Sequence, residues 1–181
     1  STVFMQGRLR HPFRLYSNKD GTICAIICEV TLRMEGLYDI ISTILEWAEK
    51  NGSHEIIILD GVASKTHDGK AFCAAEEDLC RVMESNDINM IPQGFITGVA
   101  GGLLNECLMR PIQGITLLVK ANDKGADPLA AATLLDAVNR AYGLNINTSD
   151  LRKEKKRIGA DFKELSDKYT EHKKIDSNMY M

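Results

Sequence analysis

The chain has 181 residues, 44% of them hydrophobic and 26% charged, with a formal net charge of -3. That length holds one full-sized domain, and so slight an acidic balance gives no footprint for nucleic acid or an anionic membrane. No apolar run approaches the roughly 20 residues that cross a bilayer, no signal peptide is visible, the scattered histidines have no zinc spacing, and Cys24, Cys28, Cys73, Cys80 and Cys107 form an odd set without a C-x-x-C pair, as expected of free thiols in a reducing cytoplasm.

In chain order, G-R-L-R-H-P-F-R-L-Y-S (7–17) reads as irregular chain or a partial strand, and N-K-D-G (18–21) as a turn. The run T-I-C-A-I-I-C-E-V (22–30) is almost wholly apolar, which predicts a strand covered on both faces. Leu37, Ile40, Ile41, Ile44, Leu45 and Ala48 then recur at helical spacing up to a stop at Gly52. H-E-I-I-I-L-D-G (54–61) follows as a second buried strand. Strand, helix, strand with short joints is the mark of a parallel α/β sheet.

K-A-F-C-A-A is expected to be a strand and E-E-D-L-C-R-V-M-E-S a short helix. Residues 94–111 read as strand, glycine turn and helix, and G-I-T-L-L-V-K-A (114–121) as the clearest strand. In the next helix Asp127 is the N-cap, Pro128 the first helical residue and Gly143 the stop. Leu129, Ala132, Leu135, Val138 and Ala141 share one of its faces.

From Ser149 the chain becomes strongly charged. A long helix is expected over 149–172, with Leu151, Ile158, Phe162, Leu165 and Tyr169 on alternating heptad seam positions and Lys155 in the polar slot. So narrow a stripe packs against one neighbour, either its own domain or a partner helix in an oligomer. The expected organisation is an α/β domain over 1–148, this helix, and a flexible tail over 173–181. The tail ends on Met179, Tyr180 and Met181. An apolar tip on a polar tether reads as a docking element; the alternatives are a disordered end and one folded back on its own domain.

Three places invite chemistry. T-G-V-A-G-G-L-L (97–104) lies between an expected strand and helix, where backbone N–H groups and the helix dipole favour an anion. It lacks both the lysine of a P-loop and the G-x-G-x-x-G spacing. Gly98, Gly101 and Gly102 serve either as an anion-binding turn or simply for close packing. L-D-G-V-A-S-K-T-H-D-G-K (59–70) follows a buried strand and brings Asp60, His67 and Asp68 as candidate acid, base or orienting groups. A polar surface loop explains the same residues. Glu76 and Glu77 are neighbours on a helix and diverge by about 100°, so they read as a solvated helix start.

E-I-I-I-L-D-G-V-A-S, G-F-I-T-G-V-A-G-G-L-L-N-E-C-L-M-R-P-I-Q-G-I-T-L-L-V-K-A and D-P-L-A-A-A-T-L-L-D-A-V-N-R-A-Y-G-L-N-I-N-T-S-D-L together resemble the proteasome assembly chaperone 2 family, in its archaeal branch. The resemblance spans about residues 10–155 and rests on the order of the series. It implies a three-layer α/β/α fold with a mostly parallel central sheet, akin to phosphorylases and peptidyl hydrolases but without known catalytic residues or a cofactor. It implies a homo-oligomeric chaperone or regulator of the proteasome core particle, not an enzyme. Some archaeal members end in hydrophobic–Tyr–any residue, a tail that enters pockets between α-ring subunits, where a lysine meets the terminal carboxylate. Carried across, Met179 is the hydrophobic position, Tyr180 the tyrosine and Met181 the last residue. Relatives begin with a further strand, glycine-rich loop and helix, so a chain starting at Ser1 is expected to lack strands and to leave a sticky sheet edge.

Overall fold

The computed structural model describes residues 3–5, 7–30, 32, 35–122 and 125–154. The chain divides into two compact units, Ser1–Ile44 and Leu45–Met181.

In the first unit β1 (Val3–Met5) and β2 (Arg8–Arg10) pair antiparallel. β3 (Phe13–Ser17) and β4 (Cys24–Cys28) form an antiparallel hairpin with Phe13 opposite Cys28 and Ser17 opposite Cys24. Asn18 closes its loop: the side-chain amide donates to Thr22 Oγ1 (2.8 Å) and its oxygen accepts from the Ile23 N–H (3.1 Å). Arg14 pairs with Glu29 at 2.6 Å, and this hydrogen bond holds the Glu29 carboxyl below the usual carboxylate range. The strand expected at 22–30 is present, but it is not covered on both faces: all of β4 is exposed. An apolar run shows that a strand wants cover, not that its neighbours supply it.

The helix α1 (Leu37–Lys50) begins in the first unit and ends in the second, with Ile41, Leu45 and Ala48 buried at the expected spacing. β5 (Glu55–Ala63) follows, then β6 (Ala71–Ala75), α2 (Glu77–Glu84), β7 (Asn89–Met90), α3 (Gly98–Cys107), β8 (Gln113–Ala121) and α4 (Pro128–Tyr142). These strands form one four-stranded sheet in the order β5-β8-β6-β7. β5 runs parallel to β8, from Glu55 opposite Gln113 to Ala63 opposite Ala121. β6 is parallel to β7 and antiparallel to β8, with Ala71 opposite Val119. Strand, helix and strand follow in the order read over 22–61, but β4 pairs with β3 and β5 with β8, so the two strands do not belong to one parallel sheet.

β8 is the central strand, and alternation along it builds the layers. Ile115, Leu117 and Val119 face a core with Leu79, Cys80 and Met83 of α2 and Ala130, Leu134, Ala137 and Val138 of α4. On the opposite face Gly114 comes against Leu104 and Cys107 of α3. The sheet is therefore flanked by helices on both sides.

α4 has the ends its sequence predicts. The Asp127 carboxylate accepts from the Leu129 and Ala130 N–H groups, Pro128 opens the helix, and Gly143 closes it in the left-handed region at φ 63°. Its buried face is turned from the expected one. Ala132 and Val138 are buried, but Leu129, Leu135 and Ala141 are only half-buried. Residues 94–97 form no strand, and Gly101 and Gly102 lie inside α3, not in a turn before it. Pro92 and Gly94 break any ladder there. Among the described residues no helix is long and apolar enough to cross a membrane.

Candidate functional site

The glycine segment is the first site to build. Thr97, the N-cap of α3, is extended and its side chain caps no N–H group. Gly98 takes φ +67° with open space where a side chain would begin, so it serves backbone conformation and not contact. Gly101 serves contact: a Cβ there would lie 2.2 Å from the Ile96 carbonyl oxygen. The helix thus folds tightly against the loop that leads into it. The close approach of α3 to the sheet is made from the other side, at Gly114, whose Cβ would sit 2.8 Å from Cys107 Cβ. Beside α3 an open cleft of about 340 Å³ is lined by apolar Ile96, Leu104, Cys107 and Leu108 and by polar Glu76 and Asn105. Phe95, between the lining residues Gly94 and Ile96, is fully exposed.

The 59–70 segment lies at the carboxyl ends of the parallel strands β5 and β8. Asp60 accepts from the Gly61 N–H at 2.7 Å. His67 Nδ1 accepts from the Gly69 N–H at 3.0 Å, which places the ring proton on Nε2. Nε2 is buried and has no hydrogen-bond partner among the described residues. Asp68 accepts from the Lys70 N–H and pairs with Lys120 Nζ at 2.9 Å. The bond to Lys120, then that to Lys70, holds its carboxyl below the ordinary range. Among the described residues no hydrogen bond joins Asp60, His67 and Asp68 to one another; Asp60 lies within β5 and not in the loop, while His67 Nδ1 and Asp68 accept from loop N–H groups.

Glu76, Glu77 and the buried thiols have structural surroundings. Glu76 and Glu77 are exposed, and Glu77 pairs with Arg81 one turn on. Burial, then the neighbouring Cys80, pushes the Cys73 thiol up to about 12, and burial raises that of Cys107. Such thiols are poor nucleophiles. Among the described residues no group of three His, Cys, Asp or Glu side chains is placed to hold a metal ion.

Residues 149–154 are helical. Thr148 Oγ1 donates to Asp136 of α4 at 2.9 Å, and Arg152 pairs with the same carboxylate, so the start of the charged segment is tied to α4. Leu151 is half-buried there. Ile158, Phe162, Leu165, Tyr169 and the tip Met179, Tyr180 and Met181 lie outside the described residues. The feature that the sequence reading missed is the cleft with Phe95. Its signal was an aromatic residue set between Gly94 and Gly98, three residues after Pro92.

The family model described as PAC2 matches residues 1–166. A solved protein of unknown function from Thermoplasma acidophilum is 31% identical, with a TM-score of 0.80 over 98% of this chain and 74% of that one. Pyrococcus furiosus PbaA, an archaeal homolog of proteasome-assembly chaperone, superposes with a TM-score of 0.89 at 23% identity, over 99% of this chain and 76% of its own. Pyrococcus furiosus PbaB, an archaeal proteasome activator, gives 0.76 at 21% identity, over 92% and 77%. At these lower identities PbaA and PbaB speak for the fold.

Proposed function

Since the chain belongs to the PAC2 family, we propose that it is a proteasome assembly chaperone or regulator that grips the α-subunits of the core particle with its last three residues. The observation that carries this reading is the match of the family model over 1–166. Likeness in fold to a chaperone homolog and to a proteasome activator supports it.

In this reading Tyr180 supplies a large ring whose hydroxyl must find a partner once buried. The Met181 carboxylate makes a charge-assisted bond in a partly dry pocket. Residues 173–178 form a tether that extends to at most about 20 Å, and the charged helix over 149–172 presents it. One short tail binds weakly because ordering it costs entropy. Several tails on a homo-oligomer act together through effective concentration. The protein works in the cytoplasm as a binding module, and its α/β domain (1–148) carries the stalk and tip. A catalytic reading with an anion at Gly98–Gly102 has no comparable support, since Gly101 is accounted for by its approach to Ile96.

The test compares the full chain with a chain lacking 179–181 and with Tyr180→Ala. Both changes are expected to abolish co-migration with the α-ring and to leave the melting temperature unaltered. Undiminished co-migration of the shortened chain overturns the reading.

A further inference from the structure

We infer that residues 144–152 form a fixed elbow, and that Asn139 and Asp136 of α4 are positioning residues that set how the chain beyond it leaves the domain. After Gly143 the chain turns back along α4. The Leu144 N–H donates to the Asn139 carbonyl oxygen at 3.1 Å, and the Leu144 side chain packs against the core. The Asn139 side chain then engages both backbone groups of one residue. Its Nδ2 donates to the Ile146 carbonyl oxygen at 2.9 Å, and its Oδ1 accepts from the Ile146 N–H at 2.8 Å. One turn nearer the start of α4, Asp136 Oδ1 accepts from Thr148 Oγ1 at 2.9 Å, and Oδ2 pairs with Arg152.

These contacts form one device because residues three apart in a helix share a face. Asn139 and Asp136 are such a pair, and both are half-buried. A segment leaving a helix ordinarily gives its backbone groups to water; here a side-chain amide, which carries a donor and an acceptor together, takes both from Ile146. The next helix begins where the second clamp holds. Asn147 Oδ1 accepts from the Ser149 N–H at 2.9 Å, and the Arg152 N–H reaches the Thr148 carbonyl oxygen at 3.3 Å. Thr148 and Arg152, one turn apart, meet the same carboxylate. The first turn of the charged segment is therefore aimed by α4.

The consequence rests on the docking reading of the C-terminus. A tip carried by a chain that swings from Gly143 explores more volume than one that swings only beyond the elbow. Freeing 144–148 nearly doubles the free chain of the 173–178 tether, and effective concentration then falls roughly two- to threefold for each tail. On several tails the losses multiply.

The test uses the full chain with Asn139→Ala and Asp136→Ala, made separately and together. Alanine is the best helix former, so α4 itself is not weakened. Amide exchange is read at Ile146 and Arg152, and binding to the α-ring is measured beside the chain lacking 179–181. Each substitution should speed exchange at both amides about tenfold, because the elbow opens as a unit. The double variant should bind the α-ring about threefold more weakly or worse while keeping one cooperative thermal transition. If Asp136→Ala leaves the Ile146 amide unchanged, the contacts are independent and the inference is overturned. It is overturned equally if both amides speed up and binding stays the same while removal of 179–181 abolishes it. Binding that survives the loss of 179–181 sinks the docking reading instead, and the elbow then stands or falls on the exchange rates.

Discussion

A methyl group at Gly101 would sit 2.2 Å from the Ile96 carbonyl oxygen, and at Gly114 it would sit 2.8 Å from Cys107 Cβ. The first neighbour is backbone and the second is fixed to it, so no rotamer change relieves either clash. Gly101→Ala and Gly114→Ala are each expected to lower the unfolding free energy by about 1–3 kcal/mol in urea titrations of the full chain. Gly94→Ala has nothing within 4 Å of its Cβ position and is the near-neutral control. The sequence told that glycines cluster before Leu103, and it named close packing as one of two reasons. It did not tell which neighbour is approached, because that depends on the path of residues 92–97. Phe95, Ile96 and Thr97 are strand-forming residues by type, which is why the segment read as a strand.

Among the elements, α4 was the most legible, since its signals are local. The Asp127 carboxylate serves two helical N–H groups and also accepts from the Asn122 N–H at 3.1 Å. Asp127→Ala should therefore cost about 1–2 kcal/mol of stability, read as a lower midpoint in thermal or urea unfolding, while Asp127→Asn should retain most of it. A loss below a few tenths of a kcal/mol would mean that the cap does not hold this helix. The buried face of α4 was harder to read. Leu134 and Leu135 are adjacent, and the alanines around them fit either face, so the pattern alone allowed a turn of one position. Tertiary contact with β8 decides for Leu134. For β4 the apolar run was visible but its lack of cover was not, because cover belongs to other segments of the chain.

At the scale of the whole molecule, alternation of strands and helices made an α/β fold with a mostly parallel sheet legible, and the ordered motif series pointed to the family that the chain belongs to. The division after Ile44 was not legible. Short joints around α1 looked like one crossover unit, and only the pairing of distant strands separates β4 from β5. Strand pairing across dozens of residues leaves no trace in local periodicity.

The position of β8 has a consequence in time. It has a hydrogen-bonded partner on either side, and Gly114–Val119 are all buried. β5 has, among the described residues, a single partner strand, and none of its residues is fully buried. In deuterium oxide, amides at the middle of β8 can meet solvent only when the sheet itself comes apart, whereas those on the outer side of β5 need only a local fluctuation. The protons of Ile115–Val119 should thus be the last to be replaced, with a denaturant sensitivity equal to that of global unfolding. If the amides of α2 outlast them, the slowest-opening part of this protein is a helix and not its central strand.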